Sequence, residues 1–260
     1  NYALYHDLHN MWTGDKGDYV WNGLARYYRI AAANGDYKAN VRLQYLLNTG
    51  RINTDMPQTE VHNLNEELAK QLPATAYYNL YGYLDEGYGV RTEEGGKYAY
   101  LRKAADLGSR EAQYTVAEML ADIEDSEETQ EAFKYRLNLV KQLRSCASEQ
   151  GLGEVSSNLG ISLQMDKKYQ EALKVFHQGV KNGDSISALV LSHAFESGVQ
   201  ADNLNFLDVS PDDERVKRYH MISSYLSRYD YLQPKVPDLD EILPLPPAKL
   251  PEWDGKIAFQ

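Results

Sequence analysis

Apolar residues recur along this chain at helical spacing, in a pattern that appears five times. A small residue is followed four positions later by Leu or Val, and after four more by a large apolar residue. The instances are Ala39, Leu43 and Leu47; Ala76, Leu80 and Leu84; Ala112, Val116 and Leu120; Val155, Leu159 and Leu163; and Ser187, Leu191 and Phe195. Four positions before each triplet stand Gly35, Leu72, Gly108, Gly151 and Gly183, which are 32 to 43 residues apart. A repeat of that length predicts an all-α solenoid, and stacked repeats more often offer a surface than a pocket.

Each repeat is predicted to form two helices with a glycine between them. Before Gly108 the apolar positions recur at helical spacing, while Arg102 and Lys103 fall on another face. The glycine suits a left-handed cap that ends the first helix, and a second helix is predicted from about Arg110. In the second repeat, Pro73 is expected to supply the break that glycine supplies elsewhere. The second helices are expected to end at Gly50, Gly87 and Gly198.

The composition changes near the carboxyl end. A last helix is expected to open at Ser210, with Ser as its N-cap, and to run to about Arg228. Six of the nine prolines lie between positions 234 and 251. The tail from residue 233 is predicted to be extended, and residues 243–251 to be largely polyproline II. Its large apolar residues favour a tail docked on the last helix as a cap; the alternative is a disordered ligand tail. The predicted divisions are a capping segment (1–20), a repeat solenoid (21–232) and a docked tail (233–260), with residues 199–209 as an inserted loop.

Charge and composition narrow the classes of partner. The 260 residues carry a formal charge of −11 and no basic stripe, which argues against nucleic acid. No apolar run approaches the roughly 20 residues that span a bilayer. An acidic surface would suit a basic protein partner, although it is also a common means to solubility. The single cysteine, Cys146, excludes an internal disulfide and is interpreted as a small residue on an inner helix face.

Catalytic motifs are absent from the sequence. It has no Gly-x-Ser-x-Gly elbow and no His-Glu-x-x-His motif. His6, Asp7 and His9 could make a weak metal site, but without a third distant ligand they are interpreted as a solvated turn. We therefore predict no catalytic residue, no metal and no cofactor. His177, His193 and His220 are expected to be core or boundary residues of helices.

Two features are candidates for binding a protein. The chain has 21 tyrosines, and tyrosine combines a large contact area with few rotamers and one polar tip. The second feature is an acidic run within residues 121–131, read as a loop or a frayed helix. The alternatives are that tyrosine fills contacts between repeats and that the acidic run is merely solvated. The candidate residues are Tyr77, Tyr78, Tyr81, Tyr83 and Tyr88, together with Asp122, Glu124, Asp125, Glu127 and Glu128.

One stretch resembles a known repeat family. Gly87-Tyr-Gly-Val, followed by Tyr98-Ala-Tyr-Leu-Arg-Lys-Ala-Ala-Asp-Leu-Gly108 and then Ala112, is similar to the Sel1-like repeat. The resemblance covers about residues 20–230 and is weakest in the units that end at Gly151 and Gly183. It implies a right-handed superhelix of TPR-like helix pairs that binds proteins and carries no catalytic residues.

The tail adds a narrower resemblance. Leu243-Pro-Leu-Pro-Pro-Ala-Lys-Leu-Pro251, followed by Glu-Trp-Asp-Gly, resembles the end of bacterial Sel1-repeat proteins found beside type VI secretion effectors. Several of these are immunity proteins against antibacterial lipases, often periplasmic lipoproteins. The resemblance implies steric occlusion of a lipase effector, a periplasmic location and a lipid anchor on a removed amino-terminal segment. The alternative function is a general scaffold of the cell envelope.

Overall fold

A computed structural model describes residues 2–13, 17–87, 96–124 and 127–258 of the chain. Within these ranges the regular structure is helical, without β-strands. The helices are α1 (Tyr2–Thr13), α2 (Gly17–Ala33), α3 (Tyr37–Asn48), α4 (Pro57–Ala69), α5 (Pro73–Asp85), α6 (Gly96–Asp106), α7 (Arg110–Ala121), α8 (Gln130–Glu149), α9 (Gly153–Met165), α10 (Tyr169–Lys181), α11 (Ser185–Ala194), α12 (Asp213–Arg228) and α13 (Leu239–Ile242), with a 3₁₀ turn at Asp230–Leu232. They form two compact units, residues 1–112 and 113–260.

In the first unit each helix from α1 to α5 packs against the next one along the chain. The apolar faces meet in a core that includes the fully buried Leu43 and Leu46. This is the arrangement that a repeated 3.6-residue apolar pattern dictates, because a single helix pair cannot bury its own face. The expected boundary between residues 20 and 21 falls inside α2.

The predicted glycine stops are confirmed in both units. At Gly108 the backbone φ is +90°, and the N–H of Ser109 donates to the Ala104 carbonyl at 2.9 Å. A left-handed residue and this hydrogen bond end α6 as a Schellman-type cap. The other predicted stops with positive φ are Gly35, Gly50, Gly87, Gly151, Gly183 and Gly198.

The second repeat, which lacks that glycine, uses proline as expected. The N–H of Leu72 donates to the Leu68 carbonyl at 2.8 Å, which closes the end of α4. Pro73 is then the first residue of α5, where its missing N–H costs no helical hydrogen bond.

In the second unit, α8 to α12 pack in chain order around one apolar core. Phe176, Phe195 and Tyr219 are completely buried there. The last long helix starts later than predicted, since its N-cap is Asp212 rather than Ser210. The Asp212 carboxylate accepts the Arg215 N–H at 3.0 Å, and Ser210 and Pro211 precede the helix as non-helical residues. The helix ends at Arg228, as expected.

The tail lies against this second unit. Val236, Leu239 and Leu243 are completely buried, and Trp253 and Ile257 pack against the same core. The tail is less uniformly extended than predicted, because residues 239–242 form the short helix α13 and residues 246–248 form a turn.

Several expectations about the burial of single side chains are wrong. His220, which was expected in the core or at its boundary, is exposed on α12. Cys146 is exposed, and it is the next residue, Ala147, that is buried. Asp7 does not lie in a solvated turn: it is on α1 and its side chain is completely buried.

Candidate functional site

The tyrosine-rich helix α5 and its neighbour α6 present a group of half-buried aromatic rings in the first unit. Tyr77 stacks on Tyr100 at a centroid distance of 6.0 Å, and Tyr78 stacks on Tyr81 at 6.1 Å. The Lys103 ammonium lies 4.1 Å above the Tyr77 ring, which is a cation–π contact. We call Tyr77, Tyr78, Tyr81 and Tyr100 the tyrosine surface.

Tyr81 lies near an ion pair at the edge of this surface. Lys97 and Asp85 are 2.5 Å apart. Burial raises the pKa of the Tyr81 phenol, the charge of Asp85 raises it further, and Lys97 partly offsets these effects. The phenol therefore stays protonated and can donate a hydrogen bond to a partner.

Tyr83 differs from the expectation that it lies on a binding surface. It is buried, and its hydroxyl donates to the Gln44 side-chain oxygen at 2.5 Å. Gln44 in turn donates to Asn40 at 2.6 Å, and Asn79 donates to Asn65 at 3.1 Å. These amides had not been singled out from the sequence, although Asn40 and Gln44 stand beside the apolar positions 39 and 43 at the same helical spacing.

The described part of the acidic run contains exposed acidic residues and one half-buried acidic residue. Asp122, Glu124 and Glu127 are exposed in the connection between α7 and α8. Glu128 instead receives two hydrogen bonds from Arg136, at 2.9 and 2.6 Å, which lower the pKa of its carboxyl. Glu128 therefore holds the start of α8 rather than facing a partner. The remaining candidates, Tyr88 and Asp125, lie outside the described residues.

Asp7 is the centre of a buried polar group that sequence reasoning missed. Its carboxylate accepts hydrogen bonds from Trp21 (2.9 Å), Tyr28 (2.6 Å) and both ends of the Arg42 fork (2.7 and 2.6 Å). Burial raises the pKa of Asp7, but these four hydrogen bonds and the Arg42 charge more than offset it, so the pKa is lowered. The group joins α1, α2 and α3.

Two buried arginines of α12 hold the tail. Arg215 donates to the carbonyls of Pro244 at 3.0 Å and Ala248 at 2.7 Å. Arg218 donates to the carbonyls of Ile242 and Pro251 at 2.7 and 2.8 Å, and it also pairs with Glu214. The sequence pattern did not single out either arginine.

A third tail contact has the residue types of an acid–base relay. Asp240 contacts His177 Nε2 at 2.8 Å, and His177 Nδ1 contacts the Tyr219 hydroxyl at 3.0 Å. Burial lowers the pKa of His177 even though Asp240 opposes the shift. Tyr219 is completely buried, and the series of contacts fixes the tail to α10.

The described residues contain neither a cluster of metal ligands nor a helix able to cross a membrane. No three His, Cys, Asp or Glu side chains among them lie close enough together to hold a metal ion. No helix in the described ranges is both long and apolar enough to cross a membrane.

The packing defines the class of protein: an all-α chain with the Sel1-like repeat fold, as the sequence predicted. Solved structures support this. Immunity protein PA5088 from Pseudomonas aeruginosa has a TM-score of 0.64 at 20% identity, and immunity protein Pa5087 from the same organism has 0.61 at 23%; each match covers 87% of this chain and 81% of that chain. A Sel1 repeat protein from Oxalobacter formigenes matches with a TM-score of 0.50 at 19% identity, over 78% and 76% of the two chains.

The carboxyl-terminal part also matches a family model. Residues 187–260 match the model described as a domain of unknown function, DUF6396. This segment includes α12 and the tail, and therefore both Arg215 and Arg218 with their acceptors. A search of curated proteins gives no match.

Proposed function

We propose that this chain is an immunity protein that binds a type VI secretion effector, a phospholipase, and neutralises it by covering its active site. The observation that carries the proposal is the tyrosine surface. Its rings are held in place by stacking, so they lose little side-chain freedom when a partner covers them. They also supply the large area and polar tips typical of binding hot spots. Two chains of similar fold are immunity proteins, which supports the same function.

The distribution of charge favours a basic partner surface. The second unit contains 24 acidic and 15 basic residues, a formal charge of −9, whereas the first unit carries −2. We propose that the exposed Asp122, Glu124 and Glu127 contact basic groups of the effector. Such complementarity speeds association more than it strengthens the final complex.

The proposal includes a periplasmic location, where an effector that attacks membrane lipids would meet its inhibitor. Steric cover requires a rigid complementary surface and slow dissociation, and it requires no chemistry from this chain. Cell fractionation with antibody detection tests the location independently of binding.

The first experiment is calorimetry of the purified chain with the product of the neighbouring gene, followed by an assay of that protein's lipase activity. We expect a one-to-one complex with a dissociation constant of about 10 nM or below, and loss of the lipase activity. Weak binding to several proteins, with the lipase unaffected, would instead support the scaffold.

Variants then test the surface. Tyr77→Ala and Tyr81→Ala should each weaken the complex roughly tenfold or more, as truncation of a hot-spot aromatic does. Tyr19→Ala is the matched control, because Tyr19 is 86% exposed on α2 and belongs to no part of the tyrosine surface. Equal effects of all three variants would show that the tyrosine surface is not the contact.

A further inference from the structure

The connection between α11 and α12, residues 196–212, is a closed loop. Its two ends are joined by a hydrogen bond from the Asp212 N–H to the Phe195 carbonyl at 3.0 Å. Phe195 is completely buried at the end of α11. A long loop with joined ends is a compact surface element, and loops of this kind frequently carry function.

The middle of the loop is fixed to the body of the second unit. Leu207 is completely buried in the core, and the Phe206 ring packs edge-on against Tyr169 at 5.1 Å. The Gln164 side-chain amide at the end of α9 donates to the carbonyls of Leu204 at 2.6 Å and Phe206 at 3.0 Å. The backbone on either side of Leu204 therefore has a set position.

Leu204 nevertheless points away from the protein, with 90% of its surface exposed. Met165, the residue after Gln164, is also 79% exposed. A single exposed leucine on a mobile loop has little meaning. Here the hydrogen bonds from Gln164 fix the backbone that carries Leu204, so the cost of ordering that backbone is already met before any partner binds.

The charges around Leu204 indicate the charge of the partner surface that would bind there. Residues 196–213 contain five acidic residues and no lysine or arginine. Glu196 pairs with His193 and Asp212 pairs with Arg215, while Asp202 and Asp208 are exposed. The adjoining turn between α9 and α10 adds Lys167 and Lys168. Lys168 pairs with Glu171, so this edge remains acidic.

We propose that the loop 196–212 is a docking element, which inserts Leu204 into an apolar pocket bordered by lysine or arginine side chains on a partner protein. The proposal deepens the proposed function and rests on it: the partner is the effector, and its pocket rim is basic. The acidic residues steer the encounter, and Leu204 slows dissociation.

The test measures binding of the full chain to the neighbouring gene's product by surface plasmon resonance. Leu204→Asp should weaken the complex roughly 10- to 100-fold, mainly through faster dissociation, because a buried leucine is lost. Asp202→Lys should slow association and reduce its dependence on salt. Ile186→Asp is the control, since Ile186 is 55% exposed on α11 outside the loop. Unchanged melting temperatures confirm that each variant is folded.

The outcomes separate the two proposals. A wild-type complex that Leu204→Asp leaves unchanged, or weakens no more than Ile186→Asp does, overturns the docking loop and leaves the immunity function standing. No wild-type complex overturns both. The chain alone is also run on a sizing column: dimers that Leu204→Asp converts to monomers would mean that a second copy covers the loop, and this result too overturns the proposal.

Discussion

Arg215 and Arg218 lie three residues apart on α12, and both are buried with their guanidinium groups pointed at the backbone of the tail rather than at solvent. Each donates to two tail carbonyls, so that four carbonyls from a ten-residue stretch are held by two side chains. The acceptors are Ile242, Pro244, Ala248 and Pro251. The carbonyls of the tail require donors from elsewhere, because a proline-rich segment has too few N–H groups to pair its own carbonyls.

Removal of one guanidinium should therefore loosen the tail. Arg218→Met keeps most of the side-chain volume but leaves the carbonyls of Ile242 and Pro251 without their donor. We expect the free energy of unfolding in urea to fall by about 3 kcal/mol. Lys217→Met, at an exposed neighbouring position, should change it by less than about 0.5 kcal/mol. Equal losses for the two variants would mean that the arginine does not hold the tail.

Deletion of the tail should lower the stability of the chain more than any single substitution does. Without residues 233–260, the surface of the second unit that covers Val236, Leu239 and Leu243 is exposed. Both arginines also lose their tail carbonyls and keep only Asp212 and Glu214 as acceptors. We expect a lower melting temperature and binding of a hydrophobic dye. Unchanged stability with lost partner binding would instead make the tail a ligand segment.

The sequence predicted the helix pairs because their signals are local. A glycine such as Gly108 can end a helix through its own left-handed φ. The buried face that includes Ala112 is recognisable from the residues four positions before and after it. Ala112 is indeed completely buried. The two tail-binding arginines gave no such signal, since a charged residue on an amphipathic helix normally faces water, and their acceptors lie 24 to 33 residues further on.

The candidate surface was predicted less well than the fold. Spacing alone cannot say which helix covers a given ring, so Tyr83 was grouped with Tyr77 although it packs inward on Gln44. The same limit applies to Asp7. Its partners Trp21, Tyr28 and Arg42 lie 14 to 35 residues away, and no repeat pattern relates them.

Asp7 offers a test of the first unit. Asp7→Asn removes the charge that accepts both Arg42 donors and turns one acceptor into a donor. We expect unfolding in urea at pH 7 to cost about 3 kcal/mol less than in the wild type, since breaking a buried ion pair leaves the other charge unpaired. Asp55→Asn, at an exposed position, is the control and should lie within about 0.5 kcal/mol of the wild type.

The Asp7 carboxylate also makes the free energy of unfolding depend on pH. Its pKa in the folded chain is below the usual 3.8, so the unfolded chain binds its proton first as the pH falls. The stability that Asp7 contributes is therefore complete above about pH 5 and is lost as the pH falls through 3.8 towards the folded value. The difference in unfolding free energy between wild type and Asp7→Asn should be constant from about pH 7 to 5 and shrink below about pH 4. A difference that grows in acid would contradict this assignment.

Gly183 and Gly198 share a left-handed backbone conformation, but only Gly183 lies against the tail. Substitutions at the two positions therefore distinguish the cost of backbone strain from the cost of a clash with the tail. Gly183 and Gly198 have φ values of +95° and +87°, so alanine at either position should cost about 1 kcal/mol for the left-handed conformation. A Cβ on Gly183 would also lie 2.1 Å from the Pro234 carbonyl oxygen, whereas one on Gly198 would meet nothing within 4 Å.

In Gly183→Ala the tail backbone would have to move away from residue 183, which would strain the neighbouring hydrogen bond from the Val236 N–H to the Lys181 carbonyl. Gly183→Ala should therefore lower the free energy of unfolding by about 3 kcal/mol, against about 1 kcal/mol for Gly198→Ala. Equal losses in urea unfolding would show that the tail does not approach α10 at this point.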